Sequence, residues 1–411
     1  MVEVSAFNAL RFDPAVAGSP GDVVCPPYDV IDDRARIALE ARSPYNAVRL
    51  VLPQGDDPYA AARATLDAWR ASGVLALDAR PSLTVYEQTH TVAGARHTQR
   101  GLLAAVRLDD PADGGVLPHE RTYDKIVDDR LSLLRAAETN LDCIFCVYES
   151  DGGASAVDRA GEAPPLARFT TPDGIEHALW RVDDDAAIEE IRAHLEKPRV
   201  VIADGHHRWR TAMRYRDERR ATDGEGPWDF QLMLLVDASR FGPSLLPIHR
   251  LLADVDPDAA IAALREVFAV EDAPRADPEA LAAELAARRR DGVCFAAFDA
   301  SRAWWLTLRD EPAARAALPA ERSDAWRALD VSILHGFVFD RLLGGVAPAF
   351  VHSATEAAEA VEAGRAALAF LLPPMPFEAV RAVAEAGDAM PQKSTYFIPK
   401  PATGVVLRPL A

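Results

Sequence analysis

Asp204-Gly205-His206-His207-Arg208 stands where a short apolar run, Val200-Val201-Ile202-Ala203, gives way to a helical pattern. A glycine at such a corner permits a tight turn with close backbone approach. A helix N-terminus presents unpaired N–H groups and the positive end of the helix dipole, so it favours phosphate or carboxylate. Arg208, one turn inside, can fork onto a pair of phosphate oxygens. Asp204 at the cap position can hold the turn or coordinate Mg²⁺, and His206 and His207 can move protons. The competing reading is an ordinary Asp-capped helix carrying two partly exposed histidines.

Three other segments carry reactive groups. His119-Glu120-Arg121-Thr122-Tyr123-Asp124-Lys125 crowds acid and base types into one turn before a helix. A carboxylate such as Glu120 in a cleft can deprotonate a hydroxyl, with His119 as a second acid–base candidate, Lys125 steadying transferred charge and Arg121 facing substrate. A helix start merely decorated with charge is the alternative. Met390 to Lys400 (MPQKSTYFIPK) reads as an extended strap offering Lys393 and Ser394 to a bound anion, or as a capping strand with solvated lysines. In Val24-Cys25-Pro26-Pro27-Tyr28-Asp29-Val30 the prolines stiffen a loop that can present Tyr28 and Asp29 to a substrate, or can simply turn the chain.

These segments need a scaffold, and the pattern supplies one of mixed α/β type. Helices are expected over Tyr59–Ala71, Lys125–Ala137, Asp184–Leu195 and from the DGHHR turn to about Arg220. Strands are expected at Asn46–Pro53, Leu83–Val92, Arg100–Leu108, Cys143–Tyr148, Leu166–Val182 (as a hairpin), Arg199–Ala203 and Phe230–Val236. Asp151–Pro165 reads as an exposed loop. Beyond Asp254, Ala-rich helices alternate with the strands Val293–Phe298, Ala303–Leu308 and Ala367–Leu372, closed by Met390–Leu407. The expected domains are therefore 1–150, 151–254 and a C-terminal α/β layer, 255–411. Cys143 and Cys146 have redox-motif spacing but fall on opposite faces of an apolar strand, which favours a core role.

Composition removes several classes. With 63 Asp plus Glu against 45 Lys plus Arg, the net charge is −18, which disfavours sequence-blind nucleic-acid binding. No apolar run is long enough to span a membrane, and the start lacks the order of a signal peptide, so a cytoplasmic protein is expected. Four cysteines are too few for a disulfide framework in 411 residues. His119, His206, His207 and Glu120 lack transition-metal spacing. Neither a P-loop nor a nucleophile elbow is present. Basic residues are nearly all arginine; the lysines are Lys125, Lys197, Lys393 and Lys400, and three of them sit in the segments above.

CPPYD, HERT with its following DR helix, ADGHHR and MPQKSTYFIPK, in this order, resemble the hallmarks of the large bacterial and archaeal domain-of-unknown-function family numbered 1015. The DGHHR stretch is in turn similar to the phosphate-binding turn of the ParB/sulfiredoxin superfamily, which includes partition CTPases, sulfiredoxins and free-serine kinases using ADP or ATP. The resemblance implies a ParB/sulfiredoxin-like nucleotide-binding core in which Asp204, Gly205, His206, His207 and Arg208 cradle phosphates. Sulfiredoxins need a cysteine where this chain has His206. Partition proteins are basic and carry a helix-turn-helix. The serine kinases use a carboxylate base, the post for which Glu120 is the candidate. The expectation is a kinase that uses ATP or ADP with Mg²⁺ on a small hydroxylated metabolite, free serine being the acceptor the resemblance points to. A nucleotide-binding regulator without turnover is the alternative, and a ParB-like nuclease or DNA binder a third.

Overall fold

The computed structural model describes residues 2–110, 114–151, 155–275 and 277–410. It divides into two compact units: Met1–Ser244 with Pro399–Ala411, and Leu245–Ile398. Mixed α/β architecture holds in both. The expected boundary at 150/151 runs through a single sheet, because strands from either side of it pair directly.

The first unit is built on nine strands: β1 (Val4–Ser5), β2 (Leu83–Val92), β3 (Ala95–Arg107), β4 (Val116–Leu117), β5 (Ile144–Tyr148), β6 (Ala167–Thr170), β7 (Glu176–Val182), β8 (Val200–Asp204) and β9 (Phe230–Asp237). Their order is β4-β8-β5-β9-β3-β2-β7-β6, with β1 alongside β3. β9 pairs parallel with β5 and antiparallel with β3, which welds the sequence halves together. All five residues of β5 are buried, so it reads as a continuous apolar run, as a strand covered on both faces must. β2 and β3 form a hairpin across Ala93-Gly94, both at positive φ (49° and 78°), the two-residue turn that matches strand twist.

One face of the sheet, with Ile144, Cys146, Met233 and Leu235, packs against Ile188, Ile191 and Leu195 of a helix at Asp185–Leu195. The opposite face carries a polar seam. The side chain of Gln88 donates to the Lys400 carbonyl and that of Gln99 to the Pro399 carbonyl, while the Tyr86 hydroxyl accepts from the Ala402 amide. These bonds lay the returning C-terminal segment across β2 and β3. Helices α1 (Pro58–Ala71), α2 (Asp124–Ala137) and α3 (His206–Asp223) complete the unit, with Leu66, Trp69, Leu133 and Leu407 in one subsidiary core.

Two local expectations fail. Asn46–Pro53 is not a strand: Val48–Val51 is one helical turn. The Asn46 carboxamide accepts from the Val48 amide and donates to the carbonyls of Asp22 and Val24, so a buried polar hub bends an apolar run into a turn. Within Asp151–Pro165, residues 152–154 lie outside the described residues, but Ala156–Ala160 is helical, set by a reciprocal capping box between Ser155 and Asp158.

The second unit has its own sheet of β10 (His249–Leu252), β11 (Phe268–Ala273), β12 (Cys294–Phe298), β13 (Ala303–Leu308), β14 (Ala349–Val351) and β15 (Leu368–Leu371), in the order β11-β13-β12-β15-β10-β14. Leu281 and Leu285 from Pro278–Arg288, with Ala357 and Val361 from Ala354–Glu362, cover one face. A wide helical segment, Ile333–Leu342, buries Ile333, Leu334, Val338 and Phe339. The expected layer at 255–411 thus begins earlier and ends at 398, since Pro399 onward returns to the first unit. Among the described residues, no helix is long and apolar enough to cross a membrane.

Candidate functional site

The pairing of β8 with β5 shifts register between Ile202 and Asp204, a bulge that re-aims the end of the strand. Gly205, at φ +99°, is the N-cap of α3 and supplies no side-chain cap, so the cap is not Asp204 as expected. A Cβ at Gly205 would lie 3.0 Å from Arg208 Nε. The turn requires glycine for both its backbone angle and this close approach.

Arg208 folds back under the turn instead of reaching out. It is buried, donates to the Cys143 carbonyl and to Asp204 Oδ2, and stands 3.3 Å from Asp142 Oδ2. Burial pulls its pKa down, but Asp142, Asp204 and Asp29 outweigh that and hold it above the ordinary value. The other oxygen of Asp204 takes Lys400 Nζ at 2.6 Å. Two expectations are therefore corrected: Arg208 is not an open fork for phosphate, and Asp204 is not a free Mg²⁺ ligand, because both are consumed by each other and by their neighbours. Among the described residues, no group of three or more His, Cys, Asp or Glu is disposed to hold a metal ion. A cavity of about 50 Å³ reaches Asp142 and Arg208, lined also by Leu133, Leu141 and Thr211. It has room for water but not for a nucleotide.

The HERT segment and the start of α3 meet directly. His206 Nε2 accepts the His119 amide at 3.2 Å, so its proton sits on Nδ1, 3.2 Å from Glu120 Oε2. The His206 side chain is 2% exposed and that of Glu120 is 43% exposed: a buried imidazole orients a carboxylate that opens to solvent. His207 Nε2 accepts the Tyr123 amide at 3.1 Å, and its ring stacks on Tyr123. Burial lowers the His207 pKa, with His206 adding to the effect. Further along α3, Arg210 reaches Thr122 and Asp124, and Arg214 reaches Asp128. Positions 206, 210 and 214 recur every four residues, so one face of the helix zips the HERT loop and α2 into place.

His119 departs from its expected acid–base role. It is 1% exposed, neither ring nitrogen has a hydrogen-bond partner among the described residues, and its ring lies edge-on to His206 at 4.6 Å. Burial, reinforced by His206 and opposed by Glu120, pushes its pKa down to about 3. It is a neutral wedge behind His206. Arg121 and Lys125 are exposed.

The CPPYD loop joins from the other side. Cys25 and Thr403 exchange backbone hydrogen bonds, which sets Lys400 Nζ 3.1 Å from Asp29 Oδ2 as well as against Asp204. For Lys400, burial works downward but Asp204 and Asp29 prevail and its pKa is raised. For Asp29, burial works upward but Lys400 and Arg208 prevail and its pKa is lowered. The Arg130 guanidinium lies 4.4 Å over the Tyr28 ring, and burial pushes the Tyr28 phenol up to about 12.

Lys400, Asp142 and Arg130 were not among the expected site residues. Lys400 had a signal, as one of four lysines in an arginine-rich chain and the last residue of the strap. Asp142 had none. Lys393 and Ser394 are corrected: they belong to the second unit, where the Lys393 carbonyl accepts from Arg250 and the Ser394 hydroxyl donates to the Pro391 carbonyl.

The family described as "Protein of unknown function (DUF1015)" matches residues 4–332. No curated protein matches the sequence. Among solved structures, a free serine kinase in complex with AMP is similar at 12% identity and TM-score 0.36, covering 72% of this chain and 87% of its own. A conserved hypothetical protein from Pyrococcus furiosus matches at 12% identity and TM-score 0.34, over 72% and 90%. SbnI with C-terminal truncation from Staphylococcus aureus matches at 10% identity and TM-score 0.34, over 72% and 82%.

Proposed function

We propose that this chain, which belongs to the DUF1015 family, transfers a phosphoryl group from ATP or ADP to the hydroxyl of a small metabolite of the free-serine class. The observation that carries the reading is the solvent-open Glu120 carboxylate, oriented by the Nδ1–H of buried His206, at the head of a helix whose first turn has no side-chain cap. Glu120 takes the proton of the acceptor hydroxyl as its oxygen bonds to the terminal phosphorus of the donor. The P–O bond to the rest of the nucleotide breaks, and the leaving phosphate keeps the electron pair. Such a transfer depends mostly on positioning and electrostatics, which the amides of residues 206–208 and the exposed Lys125 can supply. With Asp204 engaged by Arg208 and Lys400, any Mg²⁺ would be carried by the donor's phosphates, whose charge it would screen. Tyr28, Asp29 and Arg121 remain the residues proposed to face the acceptor.

A nucleotide-binding regulator without turnover is the second reading, favoured by one fact: the charges beneath the turn are already neutralised internally. Glu120→Gln separates the two. A kinase loses about 10²–10⁴-fold in turnover while still binding nucleotide, the scale of a missing general base. Unchanged turnover removes Glu120 from the mechanism. If no nucleotide binds, with or without Mg²⁺, in a thermal-shift panel, both readings fail.

A further inference from the structure

The second unit holds a cavity of about 310 Å³ bounded by Ile248, Leu329, Leu372, Met375, Arg289 and Arg250. That is the lower end of the size range of small-molecule pockets, roughly 300–1,000 Å³. Its walls are mainly apolar, and its charge is not balanced. Arg289 Nε is neutralised by Asp330 Oδ2 at 2.6 Å. Arg250, on β10, is 1% exposed and has no carboxylate partner among the described residues. Its guanidinium donates to His335 Nε2, to the Ile248 carbonyl and to the Lys393 carbonyl, and it lies 5.2 Å from the centre of the Phe350 ring. Every one of these partners is neutral. Burial alone pulls Arg250 down to about 9, with nothing opposing it.

Keeping a cation out of water without a counter-ion is expensive, and proteins normally pair such a charge. Here the surroundings fix the guanidinium in place instead. Lys393 is held at φ +56°, a left-handed backbone rare for a residue with a side chain, and its carbonyl meets Arg250 Nη2 at 2.9 Å. Strain of this kind persists where the surroundings over-determine it, often at ligand sites. Ser394 of the strap thus lines this wall, next to the Lys393 carbonyl that holds Arg250.

We infer that the cavity of the second unit binds a small organic carboxylate, its anionic end on Arg250 and its apolar body against Ile248, Leu372 and Met375. One buried cation without a carboxylate fits one negative charge, and mainly apolar walls suit a hydrocarbon body. The other cation of the lining that is unpaired among the described residues, Arg290, is exposed to solvent, so the buried end of the cavity offers a single such guanidinium. The inference is independent of the phosphotransferase reading.

The test uses the full chain and 4-methylpentanoate as probe, with 4-methylpentanamide and inorganic phosphate as comparators, in ligand-observed NMR titrations. The carboxylate is expected to bind, with the amide and phosphate at least about tenfold weaker, the scale of one lost charged contact. Arg250→Met is expected to abolish binding. Because that variant can also damage the fold, Ala379→Phe, which fills the cavity from its rim and leaves Arg250 in place, is the second arm and is expected to weaken binding at least as much. Binding of phosphate in preference to the carboxylate, equal binding of the amide, undiminished binding to Ala379→Phe, or no binding by the folded wild-type chain overturns the inference.

Discussion

Arg208 in the first unit and Arg250 in the second are both buried guanidiniums beside a cavity, and their surroundings are opposite. Arg208 is enclosed by Asp142 and Asp204, with Asp29 contributing at longer range. Arg250 is enclosed by an imidazole, two carbonyls and a ring face. An arginine in a promising motif is therefore no guide to where an anion binds. Arg208 belongs to the most conspicuous motif in the chain and is spent on holding the β8–α3 corner. Arg250 belongs to no motif and keeps its charge uncancelled.

The sharpest way to break this contrast is to remove each cation. Arg208→Met leaves the largely buried Asp142 without its ion-pair partner and Asp204 with Lys400 alone, and breaking a buried pair in this way costs about 3–5 kcal/mol. Arg250→Met removes hydrogen bonds to neutral groups only and relieves an unpaired charge, so the loss should stay within about 1–3 kcal/mol. Hydrogen exchange of β8 and α3 in the first variant, and of β10 and β15 in the second, reads the two losses separately. Equal losses would mean that the carboxylates around Arg208 are not the reason it is there.

A smaller effect is expected from His119. Its folded pKa, about 3, lies below the ordinary histidine value of 6.5, so the unfolded chain binds the extra proton first. Stability from this residue is complete above about pH 7 and is lost as pH falls toward its folded value, by about 2 kcal/mol at pH 5. Asp142, whose pKa burial raises despite Arg208 and Arg130, acts with the opposite sign, but only nearer its own lower range. His119→Phe keeps the ring and removes the titration. Its stability should fall by about 2 kcal/mol less than the parent's between about pH 7 and 5, the remaining decline belonging to other buried histidines such as His177, whose pKa burial lowers to about 4. A parallel decline in both proteins would assign the acid sensitivity elsewhere.

How far the sequence foretold all this depends on the range of the forces involved. β5 and β9 were legible because burial on both faces leaves an unbroken apolar run, and α2 and α3 because their helical pattern is local. The 48–51 turn was misread because its cause, the Asn46 carboxamide bonded to Asp22 and Val24, is a tertiary contact hidden in a strand-like string. At the site, Glu120, His206 and His207 were identified from residue type and do converge. The misjudged charges, Asp204 and Arg208, failed for one shared reason: sequence shows that a charge is present but not whether another charge far along the chain cancels it. Asp142 and Lys400 do the cancelling here.

The two lysines of the MPQKSTYFIPK strap give the finest comparison. Lys400 lies between Asp29 and Asp204 with its side chain 19% exposed, whereas Lys393 is exposed and contributes its carbonyl, not its ammonium, to Arg250. Lys400→Met should destabilise the first unit by about 1–3 kcal/mol, the range for a partly buried charged hydrogen bond, and less than Arg208→Met because Asp204 retains its guanidinium. Lys393→Met keeps the backbone carbonyl and changes only a solvated side chain, so its effect should stay within about 0.5 kcal/mol. Chemical denaturation of the two variants beside the parent, at low and high salt, checks the pair. Salt should leave the Lys400 effect largely intact, because the bridge is partly shielded from solvent. If Lys393→Met proves the more damaging, the ammonium rather than the carbonyl is what the strap supplies, and the assignment of these two residues is reversed.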